Sequence, residues 1–172
     1  NNPTGTYREW RDAVLALPES TQVLIDETYL DYVPGGQSLE SLAAERRNVL
    51  VLKSLSKIYA LSGLRVAYLV GHPDRIAEIR RWTPPWPVSM PAQMAAMLAI
   101  DARDYYERRW EETASLRSDL AANVERATGW RVHQGHINAI LVGPGAPSAK
   151  VAQGLRESGI FVRDMSSVSR KL

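Results

Sequence analysis

Three apolar runs constrain what this chain can fold into: Val23-Leu24-Ile25, Val49-Leu50-Val51-Leu52 and Val66-Ala67-Tyr68-Leu69-Val70. A strand with one wet face alternates apolar and polar residues with period two. Unbroken apolar strands suit a sheet covered on both faces, as in α/β folds. Segments with helical spacing separate the runs at 39–46 and follow them at 74–82. Another precedes them at 6–17, carried by Trp10, Val14 and Leu17. This strand-helix-strand rhythm predicts an α/β domain on a mostly parallel sheet.

At Thr83 the texture changes. The stretch "TPPWPVSMP" holds four prolines in nine residues, a density that no helix interior or central strand accepts. It predicts a domain junction, with residues 1–85 in a large domain and 86–172 in a smaller α+β domain. Trp86 is expected to pack at that joint. Helices are expected at 92–100 and then along a stripe of Trp110, Thr113, Leu116, Leu120 and Val124, read as core and stopping near Gly129. Strands are expected at 130–133, 137–142 and 160–162, and a helix at 148–157. The chain opens on "NNPTG" rather than Met and closes on the polar "RDMSSVSRKL", so it reads as a piece of a longer protein lacking both ends.

Composition argues against several functions. The 21 basic and 19 acidic side chains are mixed along the chain, leaving a net charge of +2 and no basic stripe for nucleic acid. Cysteine is absent, so neither a disulfide nor a thiolate metal site can form. His72, His133 and His136 lack ligand spacing, which argues against a metal. No apolar run reaches the roughly 18 residues of a membrane span. The expected setting is the cytosol, with neither nucleic acid nor membrane as a partner.

The residues that promise chemistry lie between the second and third runs, in "KSLSKIYALSGLR". A lysine such as Lys57 attacks an aldehyde once its pKa is lowered, which burial or a nearby cation achieves. Arg65 is planar, permanently charged and bidentate, and suits a phosphate. Ser54 and Ser56 add hydroxyl donors. A phosphorylated aldehyde such as pyridoxal phosphate fits this set, and an ordinary solvent-exposed loop fits it as well. Asp26 ends the first run, at the strand end where parallel α/β sheets meet their ligands. Its carboxylate could hold a pyridine nitrogen protonated and make the ring an electron sink. Tyr29 could donate its hydroxyl to the 3′-oxygen of such a ring. A helix start or a metal carboxylate pair is the other reading of Asp26-Glu27. Asn2-Pro3-Thr4-Gly5, taken alone, is a turn.

In order along the chain, Asn2-Pro3-Thr4-Gly5, Asp26-x-x-Tyr29 and Ser54-x-Ser56-Lys57-x₇-Arg65 form a set that resembles the fold-type-I, class I/II pyridoxal-phosphate aminotransferases. The wording "SLSKIYALSGLR" is similar to their histidinol-phosphate branch, and the resemblance runs on to "GIFVRD" near the end. It implies a pyridoxal-phosphate-dependent transferase fold. It implies that Lys57 forms a Schiff base with the cofactor and shuttles a proton, and that Asp26 pairs with the pyridine nitrogen. Asn2 and Tyr29 would bond the 3′-oxygen, and Ser54, Ser56 and Arg65 would hold the phosphate. The implied reaction moves an amino group between an amino acid, or a phosphorylated amino compound, and a 2-oxo acid, in a homodimer. Ala67 stands where the family often has glycine. Trp86 and "RDMSS" at 163–167 are closer to threonine-phosphate decarboxylases, so α-decarboxylation with the same cofactor is a second reading. A non-catalytic sensor domain of a transcription regulator is a third. Arg163 and Arg170 lack the family's usual context for a carboxylate-binding arginine.

Overall fold

The first two apolar runs form β1 (Val23–Asp26) and β2 (Val49–Ser54), which pair in parallel with Val23 opposite Val49 and Asp26 opposite Leu52. The third forms β3 (Ala67–Gly71), antiparallel to β2. This computed structural model describes residues 2–168, so Arg170 lies outside the described residues. These three strands of this α/β structure therefore make a mixed sheet of order β1-β2-β3, not the mostly parallel one expected. The connection explains it. Residues 55–66 turn back at the end of β2 and Ala67 pairs with Ser54, so no crossover carries the chain to the far edge.

Burial also departs from the expectation of two covered faces. Along β2, Val49, Val51 and Lys53 are buried and alternate with half-buried Leu50, Leu52 and Ser54. On the covered face, Val14 of α1 (Arg11–Leu15), Leu39, and Leu42 and Ala43 of α2 (Glu40–Glu45) pack with Val49 and Val51. On the other face Leu24 is 65% exposed. Helix α1 is shorter than the pattern at 6–17, because no side chain caps its start at Trp10 and Pro18 follows closely.

A second core forms where β2 runs into α3 (Leu55–Ile58). After β3 comes α4 (Pro73–Arg80), whose first turn is capped by His72 accepting from the Asp74 N–H. Then α5 (Met90–Asp101) starts with Ser89 as its cap and Pro91 in its first turn. Ala92, Ala96 and Ala99 of α5 and Trp110 of α6 (Arg103–Thr128) pack against Leu55, Ile58, Tyr59 and Val66. The small alanine face lets the turn around α3 come close.

The chain forms two compact units, residues 7–112 and residues 1–6 with 113–172. We call them the sheet unit and the hairpin unit. The division falls inside α6, and the proline-rich stretch lies within the sheet unit, where Trp86 is 91% exposed rather than packed. Trp110 is buried, but Leu116 and Leu120 further along α6 are exposed, so the stripe is core only at its start.

In the hairpin unit, α6 ends at Gly129 with φ +68°, and β4 (Arg131–Gln134) pairs antiparallel with β5 (Ile140–Gly143). Then α7 (Ser148–Glu157) follows. The strand expected at 160–162 is absent: the Ile160 N–H closes the helix end on the Leu155 carbonyl at 2.8 Å, and Phe161 is exposed. The turn at 2–5 docks on the end of β4, where the His136 N–H donates to the Gly5 carbonyl at 2.8 Å. A Cβ on Gly135 would lie 2.3 Å from the Thr4 carbonyl oxygen, so only glycine fits there. Among the described residues no helix is long and apolar enough to cross a membrane.

Candidate functional site

Six of the seven residues singled out from the sequence gather at the C-terminal end of the parallel pair β1–β2. Asp26 closes β1 and is exposed on the open face. Its Oδ1 accepts from the Thr28 N–H at 2.9 Å and from the Thr28 hydroxyl, which fixes the carboxylate at the strand end. Tyr29 then leads into a 3₁₀ turn (Leu30–Tyr32), where its ring lies 6.5 Å from that of Tyr32.

Ser54 closes β2 and caps α3. Its Oγ accepts from the Ser56 N–H at 3.4 Å and lies 2.8 Å from the Ser56 Oγ, so the two hydroxyls share one spot. Lys57 follows one residue later. The turn that carries it is held from beneath at two carbonyls. The Trp110 indole N–H donates to the Ile58 carbonyl at 2.7 Å, and the Tyr32 hydroxyl donates to the Lys57 carbonyl at 3.3 Å. Burial pushes the Tyr32 phenol above its ordinary value, with Tyr29 adding to the shift, so the hydroxyl keeps its proton at neutral pH.

Beyond α3, Ala60 (φ +56°) and Arg65 (φ +54°) adopt left-handed backbone around a second 3₁₀ turn (Ser62–Leu64). Non-glycine residues rarely hold this conformation, and it concentrates at functional sites. Arg65 Nη1 donates back to the Ser62 carbonyl at 2.9 Å, leaving the rest of its guanidinium exposed beside the turn.

Lys57 departs from the expectation of a desolvated amine. It is exposed, and its ammonium has no ion-pair partner among the described residues. The cause is the open part of the sheet next to it, where Leu24 and Asp26 on the same face are exposed, while the buried cluster lies on the opposite side. Asn2, the seventh residue, belongs to the hairpin unit, where it is exposed and begins the turn docked on β4.

The buried lysine is Lys53, which sequence reasoning passed over. Its Nζ lies 3.1 Å from Glu27 Oε2 and 3.7 Å from Asp31 Oδ2. Lys53 is 5% and Glu27 6% exposed. A signal was present: Lys53 falls in phase with the buried Val49 and Val51, and a cation in that phase demands a partner.

The family model and the curated relatives agree on one family. Residues 1–170 match the model of aminotransferase class I and II. The aromatic amino acid aminotransferase of Mycobacterium tuberculosis (strain ATCC 25618 / H37Rv) is 33% identical, over 95% of this chain and 47% of its own length. The histidinol-phosphate aminotransferase of Methanothermobacter thermautotrophicus is 31% identical, over 97% of this chain and 45% of its own. This chain thus spans about half the length of the curated relatives it matches. Among solved structures, histidinol-phosphate aminotransferase from Sinorhizobium meliloti, in complex with pyridoxal-5′-phosphate, superposes with a TM-score of 0.86. That match covers 94% of this chain and 46% of the other at 23% identity, so it speaks for the fold alone. The L-threonine-O-3-phosphate decarboxylase from Porphyromonas gingivalis has the same fold, at a TM-score of 0.77, 22% identity, and coverage of 96% of this chain and 52% of its own.

Proposed function

Because this chain belongs to the class I and II aminotransferases, we propose that its protein is a pyridoxal-phosphate-dependent aminotransferase. The reading is carried by one arrangement: Lys57 follows two hydroxyls at the end of β2, beside Asp26 at the end of its parallel neighbour. The substrates proposed are an amino acid, or a phosphorylated amino compound such as histidinol phosphate, and a 2-oxo acid. The relatives named for aromatic amino acids and for histidinol phosphate support that range.

The donor set suits the cofactor. The paired hydroxyls of Ser54 and Ser56, with the exposed guanidinium of Arg65 on the turn that follows, suit a phosphate. An amine and a carboxylate at the same sheet edge match an aldehyde and a pyridine nitrogen. When bound, pyridoxal phosphate supplies a carbonyl that condenses with amines and a ring that accepts electron density. The chain's own residues do the rest. Lys57 would hold the cofactor through its amine and would carry a proton to and from the reacting carbon. Asp26, anchored by Thr28, would keep a proton on the ring nitrogen. Tyr29 would donate toward the 3′-oxygen, the role that the family resemblance also gives to Asn2. Trp110 and Tyr32 keep the Lys57 backbone from swinging. We assign residues 1–85 to the large domain and 86–172 to the connecting helices and small domain of a homodimer.

The test is spectroscopic. The complete protein, titrated with pyridoxal phosphate, should gain a visible band that borohydride abolishes, with the reduced adduct on Lys57. Lys57→Ala should lose the band and at least about 10³-fold in kcat. A protein that gains no band, or carries its adduct elsewhere, refutes the assignment. Carbon dioxide release without an oxo-acid product would assign decarboxylation on the same site.

A further inference from the structure

We propose that buried Lys53 and Glu27, with half-buried Asp31, form a positioning device that sets Asp26 and Lys57 relative to each other. It rests on the reading of Lys57 and Asp26 as cofactor residues. Glu27 accepts from three donors on two segments of the chain. Its Oε2 receives Lys53 Nζ at 3.1 Å and the Ser38 hydroxyl at 2.7 Å, and its Oε1 receives the Leu39 N–H at 2.8 Å. Its own N–H donates to the Leu52 carbonyl at 2.9 Å, which extends the β1–β2 ladder one residue past Asp26.

The pleat gives this network its leverage. Neighbouring strand residues face opposite sides of a sheet. Glu27 and Lys53 turn to the covered side, and the residues next to them, Asp26 and Ser54, turn to the open side. Pairing Glu27 with Lys53 therefore fixes the spacing of Asp26 and Ser54, and Ser54 caps the helix that bears Lys57. The second contact of Lys53, to Asp31, reaches the 3₁₀ turn whose Tyr32 bonds the Lys57 carbonyl. One cation thus ties together three routes to the site.

Stability alone does not call for such a group, since apolar side chains of similar volume commonly replace a buried ion pair without loss. Geometry is the stronger reason, because a displacement of about 1 Å in a site costs on the order of 10²-fold in rate.

The test compares the complete protein with Glu27→Gln, Lys53→Arg and the double variant Lys53→Met with Glu27→Leu. Hydrogen exchange without cofactor gives a readout that needs no activity. In the double variant, amides of 26–32 and 54–59 should exchange at least about 10-fold faster, while Ile25 and Val51 stay protected. With cofactor, the pH midpoint of the visible band should move and kcat should fall at least about 10-fold, with KM little changed. Lys53→Arg should restore both. Should the double variant fail to fold, Glu27→Gln, which keeps the shape and loses the charge, carries the same comparison. Unchanged exchange at 26–32 and 54–59, or a rise spread equally through β1 and β2, overturns the proposal. Absence of a borohydride adduct on Lys57 in the wild type would instead refute the proposed function, leaving the exchange result to decide on the triad.

Discussion

Lys53 and Lys57 stand four residues apart and meet opposite fates. Lys53 lies on the covered face of the sheet between two carboxylates, and Lys57 is exposed at the edge of the open face. A buried ammonium is tolerated only with its charge compensated and its protons bonded. Lys53 meets that condition within the chain, and is thereby spent. Lys57 has no ion-pair partner among the described residues, which suits its proposed role toward a carbonyl.

The largest effect that could break this comparison is on stability. Lys53→Met should leave Glu27 buried without its cation and cost about 3–5 kcal/mol. Lys57→Met should stay within about 0.5 kcal/mol, as at an ordinary exposed position. Urea unfolding of both variants checks the contrast, and equal losses would end it. The faces themselves come next. Leu42→Ala on the covered side should cost about 2–5 kcal/mol, against about 0.5 kcal/mol or less for Leu24→Ala on the open side. A comparable loss at Leu24 would mean that something covers that face in solution.

A smaller effect is expected at the support of the lysine turn. Trp110→Phe keeps most of the packing but leaves the Ile58 carbonyl without its donor, at about 1–3 kcal/mol. An unchanged unfolding midpoint would show that the indole N–H is dispensable. The smallest concerns pH. Burial, together with the hydrogen bond to Glu40, pushes the Tyr68 phenol above its ordinary value, opposite Lys53 on the covered face. Native Tyr68 therefore keeps its proton where the unfolded chain releases it, near pH ~10. Its contribution is complete below that pH and is lost as pH rises beyond it. Thermal midpoints measured above about pH 10 should fall less steeply in Tyr68→Phe.

Much of the fold was legible because local chemistry fixed it. The helix expected at 148–157 is α7 (Ser148–Glu157), and Gly129 ends α6 where a left-handed residue is needed. The three apolar runs are the three strands of the sheet. The strand at 160–162 failed because a strand is made by its neighbour, and no described strand pairs there. The strip Ser54, Ser56, Lys57 and Arg65 was legible as a cluster because it is contiguous. Its supports, Trp110 and Tyr32, come from distant sequence and carry no motif.

By itself, then, the sequence singled out the candidate residues, since residue type and spacing along one turn set donor, amine and charge. It also marked out the three strands of the sheet, though not the run at 160–162, which has no partner strand among the described residues. Only the tertiary structure decided the direction of β3, which face of the sheet is covered, and which lysine is neutralised. Those outcomes depend on contacts between segments far apart in the chain, such as Lys53 with Glu27 and Trp110 with Ile58. No local pattern encodes the distance between them.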